Sequence, residues 1–237
     1  MQGSTYRGFL VLADISGYTR FMLHNRETMV HGQLIINELL KSVLEEVHGL
    51  FSISKLEGDA VFMYCFPAGN PNYCPKVLYS TLRALPQVFE RKKKFLEASN
   101  ICHCQACVNI ESLKLKVFTH FGEVLMTNLK NFNELSGVDV ILVHRLMKND
   151  VKLSEYILMT DMALDELDPP DQESFDKQVF KDDDLDSLNI NILDFEGLKV
   201  PLAKVSRFIK LKLELYKLIS TMLVFLGLKK LNKLTKL

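Results

Sequence analysis

Phe9-Leu10-Val11-Leu12-Ala13-Asp14-Ile15-Ser16-Gly17-Tyr18-Thr19 and Lys55-Leu56-Glu57-Gly58-Asp59-Ala60-Val61 decide how this chain reads. In the first, an apolar run of strand character ends on an aspartate and is followed by a Ser-Gly turn. In the second, the turn Glu57-Gly58 delivers an aspartate to the start of another apolar run, Ala60 to Phe66. A carboxylate at a strand end lies within reach of water, where a hard cation can be held. Two that meet there suit Mg²⁺ or Mn²⁺, which prefer oxygen ligands and share them with substrate phosphates. Taken singly, each aspartate also reads as a plain turn residue, because Asp is common at strand ends.

Around these stretches, strand and helix patterns alternate. A strand is expected over Gly8–Ala13, a short helix from the Ser16-Gly17 turn to Leu23, and a longer helix from Glu27 to His48. In that longer helix Ile36, Leu40, Val43 and Val47 fall at helical spacing. Leu50–Leu56 and Ala60–Phe66 form a hairpin. Val77, Leu78, Leu82, Leu85 and Phe89 mark another helix, which Pro86 is expected to kink or restart. Arg91-Lys92-Lys93-Lys94 reads as its solvated face. Leu113–His120 alternates as a strand, with Gly122-Glu123 turning it into Val124-Leu125-Met126. Val138–Met147 reads as a helix and Tyr156–Met159 as a strand. A loop carries Pro169-Pro170, and late strands are expected at 178–180, 190–195 and 198–205. Alternation around a central hairpin argues for an α/β (α+β) sandwich with a mixed or antiparallel sheet, rather than a doubly wound parallel one.

The 237 residues fit one domain with an appendage: a body over 1–205 and a basic amphipathic C-terminal helix over 206–237. With 48% of residues hydrophobic, a full core forms and wholesale disorder is excluded. Formal net charge is +0 but unevenly placed. The stretch 161–186 is acidic, with only Lys177 and Lys181 against it; Arg207–Leu237 is basic, with Glu214 its only acid. The N-terminus lacks a signal-peptide pattern, and the longest apolar run, Leu218–Leu228, is too short to span a membrane as a helix. Together with an odd number of cysteines, this points to the cytoplasm. There is no P-loop, dinucleotide fingerprint, internal repeat or Ser-His-Asp arrangement. His24, His31, His48 and His144 are scattered.

The two opening stretches resemble the first and second metal motifs of class III nucleotidyl cyclases. Thr119-His120-Phe121-Gly122-Glu123-Val124 is similar to that family's mid-domain strand and turn, and Leu135-Ser136-Gly137 through Arg145-Leu146 to the helix carrying its transition-state residues. The four occur in order between about Gly8 and Met159. The resemblance implies a ferredoxin-like cyclase fold that dimerises head to tail with two composite sites. It implies two Mg²⁺ or Mn²⁺ ions on Asp14 and Asp59, helped by the Ile15 carbonyl. Attack of a ribose 3′-oxygen on the α-phosphate of a nucleoside triphosphate would release pyrophosphate. Lys55 and Glu134 fall at base-reading positions, and Lys suits adenine, hence ATP. Arg145 matches the arginine that steadies the transition-state phosphate. On the hairpin, Lys55 and Asp59 would serve different sites, so a monomer would lack half of each.

Two positions depart from the family pattern. Ile141 stands where an Asn orients the ribose, and Ile forms no side-chain hydrogen bond. Glu196 stands where the family carries the lysine that holds the triphosphate, for which Lys199 or Lys204 could substitute. The alternative to a working cyclase is therefore a catalytically weak or inactive nucleotide- and metal-binding module for sensing or scaffolding.

Cys102-His103-Cys104-Gln105-Ala106-Cys107, near 100–110, forms a second cluster. Three crowded thiols, with Cys104 and Cys107 at knuckle spacing, suit a Zn²⁺ ion completed by Cys74, His103, His120 or a partner's residue. Three free or redox-active cysteines are the other reading. In the tail, Phe208, Leu211, Leu215, Leu218, Met222 and Phe225 form a heptad-like seam edged by lysines. Such a helix packs on the sheet or across a dimer, or lies on an anionic membrane surface as a peripheral contact. No nucleic-acid recognition motif accompanies it.

Overall fold

A computed structural model describes residues 3–99, 105–129, 132–197 and 200. The tail helix expected over 206–237, the strand expected over 198–205 apart from Val200, Cys102, His103, Cys104, Lys199 and Lys204 lie outside the described residues. The elements run β1 (Gly3–Ser16), α1 (Tyr18–His24), α2 (Met29–Glu46), β2 (Ser52–Glu57), β3 (Ala60–Cys65), α3 (Pro75–Ser99), α4 (Gln105–Val108), β4 (Lys114–Leu129), β5 (Phe132–Ser136), α5 (Val138–Arg145), β6 (Tyr156–Thr160), α6 (Asp161–Leu164), β7 (Asp176–Phe180) and β8 (Leu188–Asp194).

The alternation of β1 sets the layers. Phe9, Val11, Ala13 and Ile15 face one side and pack with Ile36, Leu39 and Val43 of α2 and Leu78, Leu82, Leu85 and Phe89 of α3. Leu10 and Leu12 face the other side and pack with Phe62, Phe118 and Leu158 and with Leu142 and Val143 of α5. Apolar residues at period two thus meet helices whose apolar residues recur at three and four. The sheet order is β2-β3-β1-β4-β6-β8-β7, with β5 pairing β4 off that path. Among the described residues, β4·β6 is the parallel pair and the others are antiparallel. This is the mixed α+β sandwich read from the sequence.

Four details differ from the sequence expectation. First, Gly122-Glu123 is not a turn: β4 runs through it, with Gly122 opposite Gly8 and Glu123 opposite Arg7. β1 begins at Gly3, which gives β4 a partner along its whole length, and an available ladder overrides a lone glycine's preference to turn. Second, α3 continues through Pro86 without restarting. Pro86 is itself buried, and packing of Leu82, Leu85 and Phe89 holds the turn that its ring disfavours. Third, Lys93 is not part of a solvated face; it is 1% exposed, paired to Glu90 at 2.6 Å, and donates to the Leu113 carbonyl at 3.1 Å. A buried ammonium persists when paired and hydrogen-bonded in this way. Fourth, the acidic stretch opens on a short helix, α6, where no element is expected, while its strand β7 contains the expected 178–180.

A buried polar cluster docks α5 on the sheet. His120 is fully buried; its Nδ1 lies 3.0 Å from Thr160 Oγ1 and its Nε2 3.1 Å from Asp139 Oδ1. The other Asp139 oxygen accepts from the Glu123 amide at 2.6 Å. Burial lowers the His120 pKa, against the opposing pull of Asp139. One carboxylate thereby fastens the first turn of α5 to β4.

Candidate functional site

Parity along the strands places the polar residues. Asp14 lies on the α5 face of β1, continuing Leu10 and Leu12, and its register partner on β4 is Lys116. The partner of Lys116 on β6 is Tyr156. One row across three strands therefore reads Asp14, Lys116, Tyr156, with the Lys116 ammonium 5.1 Å over the Tyr156 ring. Ala60 is the β3 member of this row, and Asp59 lies one residue beyond it at the hairpin tip. Gly58 takes a φ of 75°, a conformation glycine adopts without strain, and so closes a two-residue turn between Glu57 and Ala60. The Ile15 amide donates to the Asp59 carbonyl at 3.1 Å, which ties the tip to the end of β1.

Electrostatics mark this corner. Asp14 is pushed up to about 6 by burial first and by the negative charge of Asp59 second, while Lys116 pulls it back. Asp59 is also raised by burial. Two half-buried carboxylates that repel each other suit a shared cation. No group of three His, Cys, Asp or Glu side chains able to hold a metal occurs among the described residues. A cation at this pair would complete its shell from backbone, water or substrate oxygens.

A second polar group lies on the same face beside α5. Lys55 Nζ is 3.4 Å from Glu134 Oε1 and 3.7 Å from Glu57 Oε1. Its register partner Phe62 belongs to the α5-side core, as does Ala60 opposite Glu57. His144 donates through Nδ1 to the Val140 carbonyl at 2.8 Å and faces Glu57 with Nε2 at 3.3 Å. Its ring packs edge-on to Phe62. Arg145, at the end of α5, is paired to Asp182 at 3.4 Å and to Asp184 at 3.0 Å. Ile141, one turn earlier, is 54% exposed.

The residues singled out in the sequence thus fall into two sets. Asp14 and Asp59 share one corner; Lys55 and Glu134 meet in another, and Arg145 is held by Asp182 and Asp184. Among the described residues no side-chain hydrogen bond or ion pair joins the sets. His120, one of the fourth ligands expected for a zinc ion, has its two nitrogens taken by Thr160 and Asp139. Of the thiols of the cysteine cluster, Cys107 is the one within the described residues. Glu196 accepts from the amide and hydroxyl of Ser154 at 2.6 and 2.7 Å, which is a loop-closing role. Sequence reading missed Lys116, Glu57 and the Asp182/Asp184 pair. The alternation of Leu113–His120 carried the signal for Lys116, since it puts 114, 116 and 118 on the face of Asp14. Nothing local marked the aspartates, whose partner lies 37 and 39 residues away.

Comparison with solved structures finds the same architecture in nucleotidyl cyclases. Guanylyl cyclase Cya2 superposes with a TM-score of 0.61 at 14% identity, covering 86% of this chain and 100% of that one. Adenylyl cyclase CyaB from P. aeruginosa gives 0.57 at 14% identity, over 82% of this chain and 97% of that one. A class III adenylyl cyclase-like ATP-binding protein from Pseudomonas aeruginosa gives 0.54 at 15% identity, over 70% and 36%. In sequence, the chain is 37% identical over 131 residues to Uncharacterized protein Rv2561/Rv2562 of Mycobacterium tuberculosis, which is 55% of this chain. It spans 59% of the length of that curated relative. The fold is that of class III adenylyl and guanylyl cyclase catalytic domains, and residues 36–156 place the chain in the family described as Protein of unknown function (DUF2652).

Proposed function

We propose that this chain is a class III-like nucleotidyl cyclase, converting a nucleoside triphosphate, ATP by preference, to a 3′,5′-cyclic nucleotide and pyrophosphate at a homodimer interface. The observation that carries this reading is the meeting of Asp14 and Asp59, where burial first and the charge of Asp59 second push the Asp14 pKa to about 6. The oxygen-only donor set fits Mg²⁺ or Mn²⁺, with the Ile15 carbonyl beside it. Such ions, when bound, lower the pKa of a ribose hydroxyl and neutralise phosphate charge. Asp14 and Asp59 hold and orient the triphosphate end through that charge. Lys116, in the same row as Asp14, offers a cation to a phosphate oxygen. Lys55, steadied by Glu134 and Glu57, presents an ammonium donor to a base edge. Arg145 supplies a planar donor fork for the phosphate undergoing attack. The separation of the two sets within one chain supports pairing across two copies, the carboxylates of one facing Lys55, Glu134 and Arg145 of the other. We place the reaction in the cytoplasm. No helix among the described residues is long and apolar enough to cross a membrane.

Purified protein incubated with ATP, GTP, CTP or UTP and Mn²⁺ is expected to yield cyclic product, most from ATP, and Asp14→Ala to abolish it. Product formation that survives Asp14→Ala overturns the site assignment. A second reading, a nucleotide-holding module of low turnover, is favoured by Ile141, which sets an exposed apolar side chain one turn before Arg145. Lost positioning of a reacting group costs orders of magnitude in rate. Ile141→Asn is therefore expected to raise turnover about ten-fold or more. An unchanged or lower rate would show that this chain positions its ribose in another way.

A further inference from the structure

Arg145 ends α5 with its guanidinium bound on two sides by one loop. Nη1 lies 3.4 Å from Asp182 Oδ2, and Nη2 lies 3.0 Å from Asp184 Oδ2. The two aspartates are unlike. The Asp182 side chain is 8% exposed, that of Asp184 72%, and that of Arg145 35%. The Asp184 amide donates to Asp182 Oδ1 at 3.1 Å, a turn that sets the spacing of the two carboxylates. Leu185 and Leu188 pack on the α5-side core and hold the loop in place.

A guanidinium presents several donors in one plane, and carboxylate and phosphate compete for the same fork. A largely buried partner orients it, whereas an exposed one is screened by water and given up at little cost. We propose that the loop between β7 and β8 sets the affinity of Arg145 for phosphate, with Asp182 as a positioning residue that holds the guanidinium and Asp184 as a displaceable carboxylate in the phosphate's seat. This rests on the reading that Arg145 meets a nucleotide phosphate. Without nucleotide, Asp184 neutralises the arginine. When a triphosphate arrives, the exposed Asp184 swings into water and Asp182 keeps the fork aimed. The loop thereby raises the nucleotide concentration at which the site fills.

The test is calorimetric titration of the full chain with 3′-deoxyadenosine triphosphate and Mn²⁺, a ligand lacking the hydroxyl that would cyclise. Because the displaced contact is an exposed ion pair, Asp184→Asn is expected to tighten binding about two- to five-fold. Asp182→Asn is expected to weaken it, through a loosened guanidinium. Asp183→Asn removes an adjacent exposed charge that does not pair with Arg145, and is expected to leave affinity unchanged. Tightening by Asp183→Asn equal to that by Asp184→Asn reduces the effect to general charge and overturns the proposal. So does unaltered affinity in Asp184→Asn, or tightening in Asp182→Asn. Arg145→Ala separates the two levels. If it leaves affinity unchanged, the phosphate role of Arg145 fails. If it weakens binding while Asp184→Asn has no effect, only the role of the loop fails.

Discussion

Asp14→Asn is expected to raise the melting temperature of the metal-free protein at pH 7.5 and to remove the stabilisation that Mn²⁺ gives the wild type. The reason is the pKa of Asp14, lifted to about 6 by burial and by Asp59. A carboxyl whose pKa is higher folded than unfolded favours the fold when protonated. That contribution is complete below the unfolded value and is lost as pH rises through about 6. At pH 7.5 the ionised side chain carries the whole cost, about 3 kcal/mol with the attraction of Lys116 already counted and on the order of 2 kcal/mol after discounting for its partial exposure. Asparagine has the same shape without the charge. For a domain of this size the gain corresponds to about 4–8 °C, and it should shrink towards pH 4.5, where the wild-type carboxyl regains its proton. Mn²⁺ at a hundred times its Kd would raise wild-type stability by about 2.7 kcal/mol and leave the variant unmoved. Thermal scans at both pH values, with and without Mn²⁺, decide it. A variant less stable than wild type at pH 7.5 would mean that Lys116 already satisfies the carboxylate.

Gly122→Ala carries the largest expected loss of stability. A Cβ built at Gly122 would overlap Asp139 Oδ2 and Cγ. Asp139 cannot withdraw without releasing the Glu123 amide and stranding the buried His120 Nε2. An orphaned buried polar group costs about 1–3 kcal/mol and overpacking a comparable amount. Together they predict about 3–5 kcal/mol, read as a lower urea midpoint at unchanged slope. Cutting Asp139 back to alanine leaves its own Cβ 2.7 Å from the new one, so the steric part disappears only in Asp139→Gly. Gly122→Ala combined with Asp139→Gly should therefore be about as stable as Asp139→Gly alone, a strongly non-additive pair. Additive losses would place the damage elsewhere along β4.

Local pattern carried much of this fold, and distance hid the remainder. The apolar run before Asp14, the Glu57-Gly58 turn and the helical spacing of Leu78, Leu82, Leu85 and Phe89 are written within a few residues of one another. The structure follows them closely. Gly122 misled because its conformation is set by Gly8 and Arg7, over a hundred residues earlier, and by the need to admit Asp139 from α5. Lys93 misled because a run of cations looks solvated until Glu90 and the Leu113 carbonyl are folded onto it. The site divides in the same way. Asp14 and Asp59 announce themselves at strand ends, whereas the union of Lys55 with Glu134 spans 79 positions and needed the outline of a known family to anticipate it. The hold of Asp182 and Asp184 on Arg145 had no precursor in local pattern.

The fourteen-residue β1, paired to β4 from Gly3↔Thr127 to Ser16↔Lys114 and to β3 over Phe9–Asp14, has a consequence for slow breathing of the molecule. Its middle amides are bonded on both sides, under packed layers on both faces. By contrast β2 is a margin strand, and β5 hangs from β4 alone. Deuterium should therefore enter the Ser52–Glu57 and Phe132–Ser136 amides through local opening, long before Phe9–Ala13 exchanges. The end that would read a base can loosen while the end bearing Asp14 stays shut, so ligand choice can drift over evolutionary time without endangering the framework that anchors the charge.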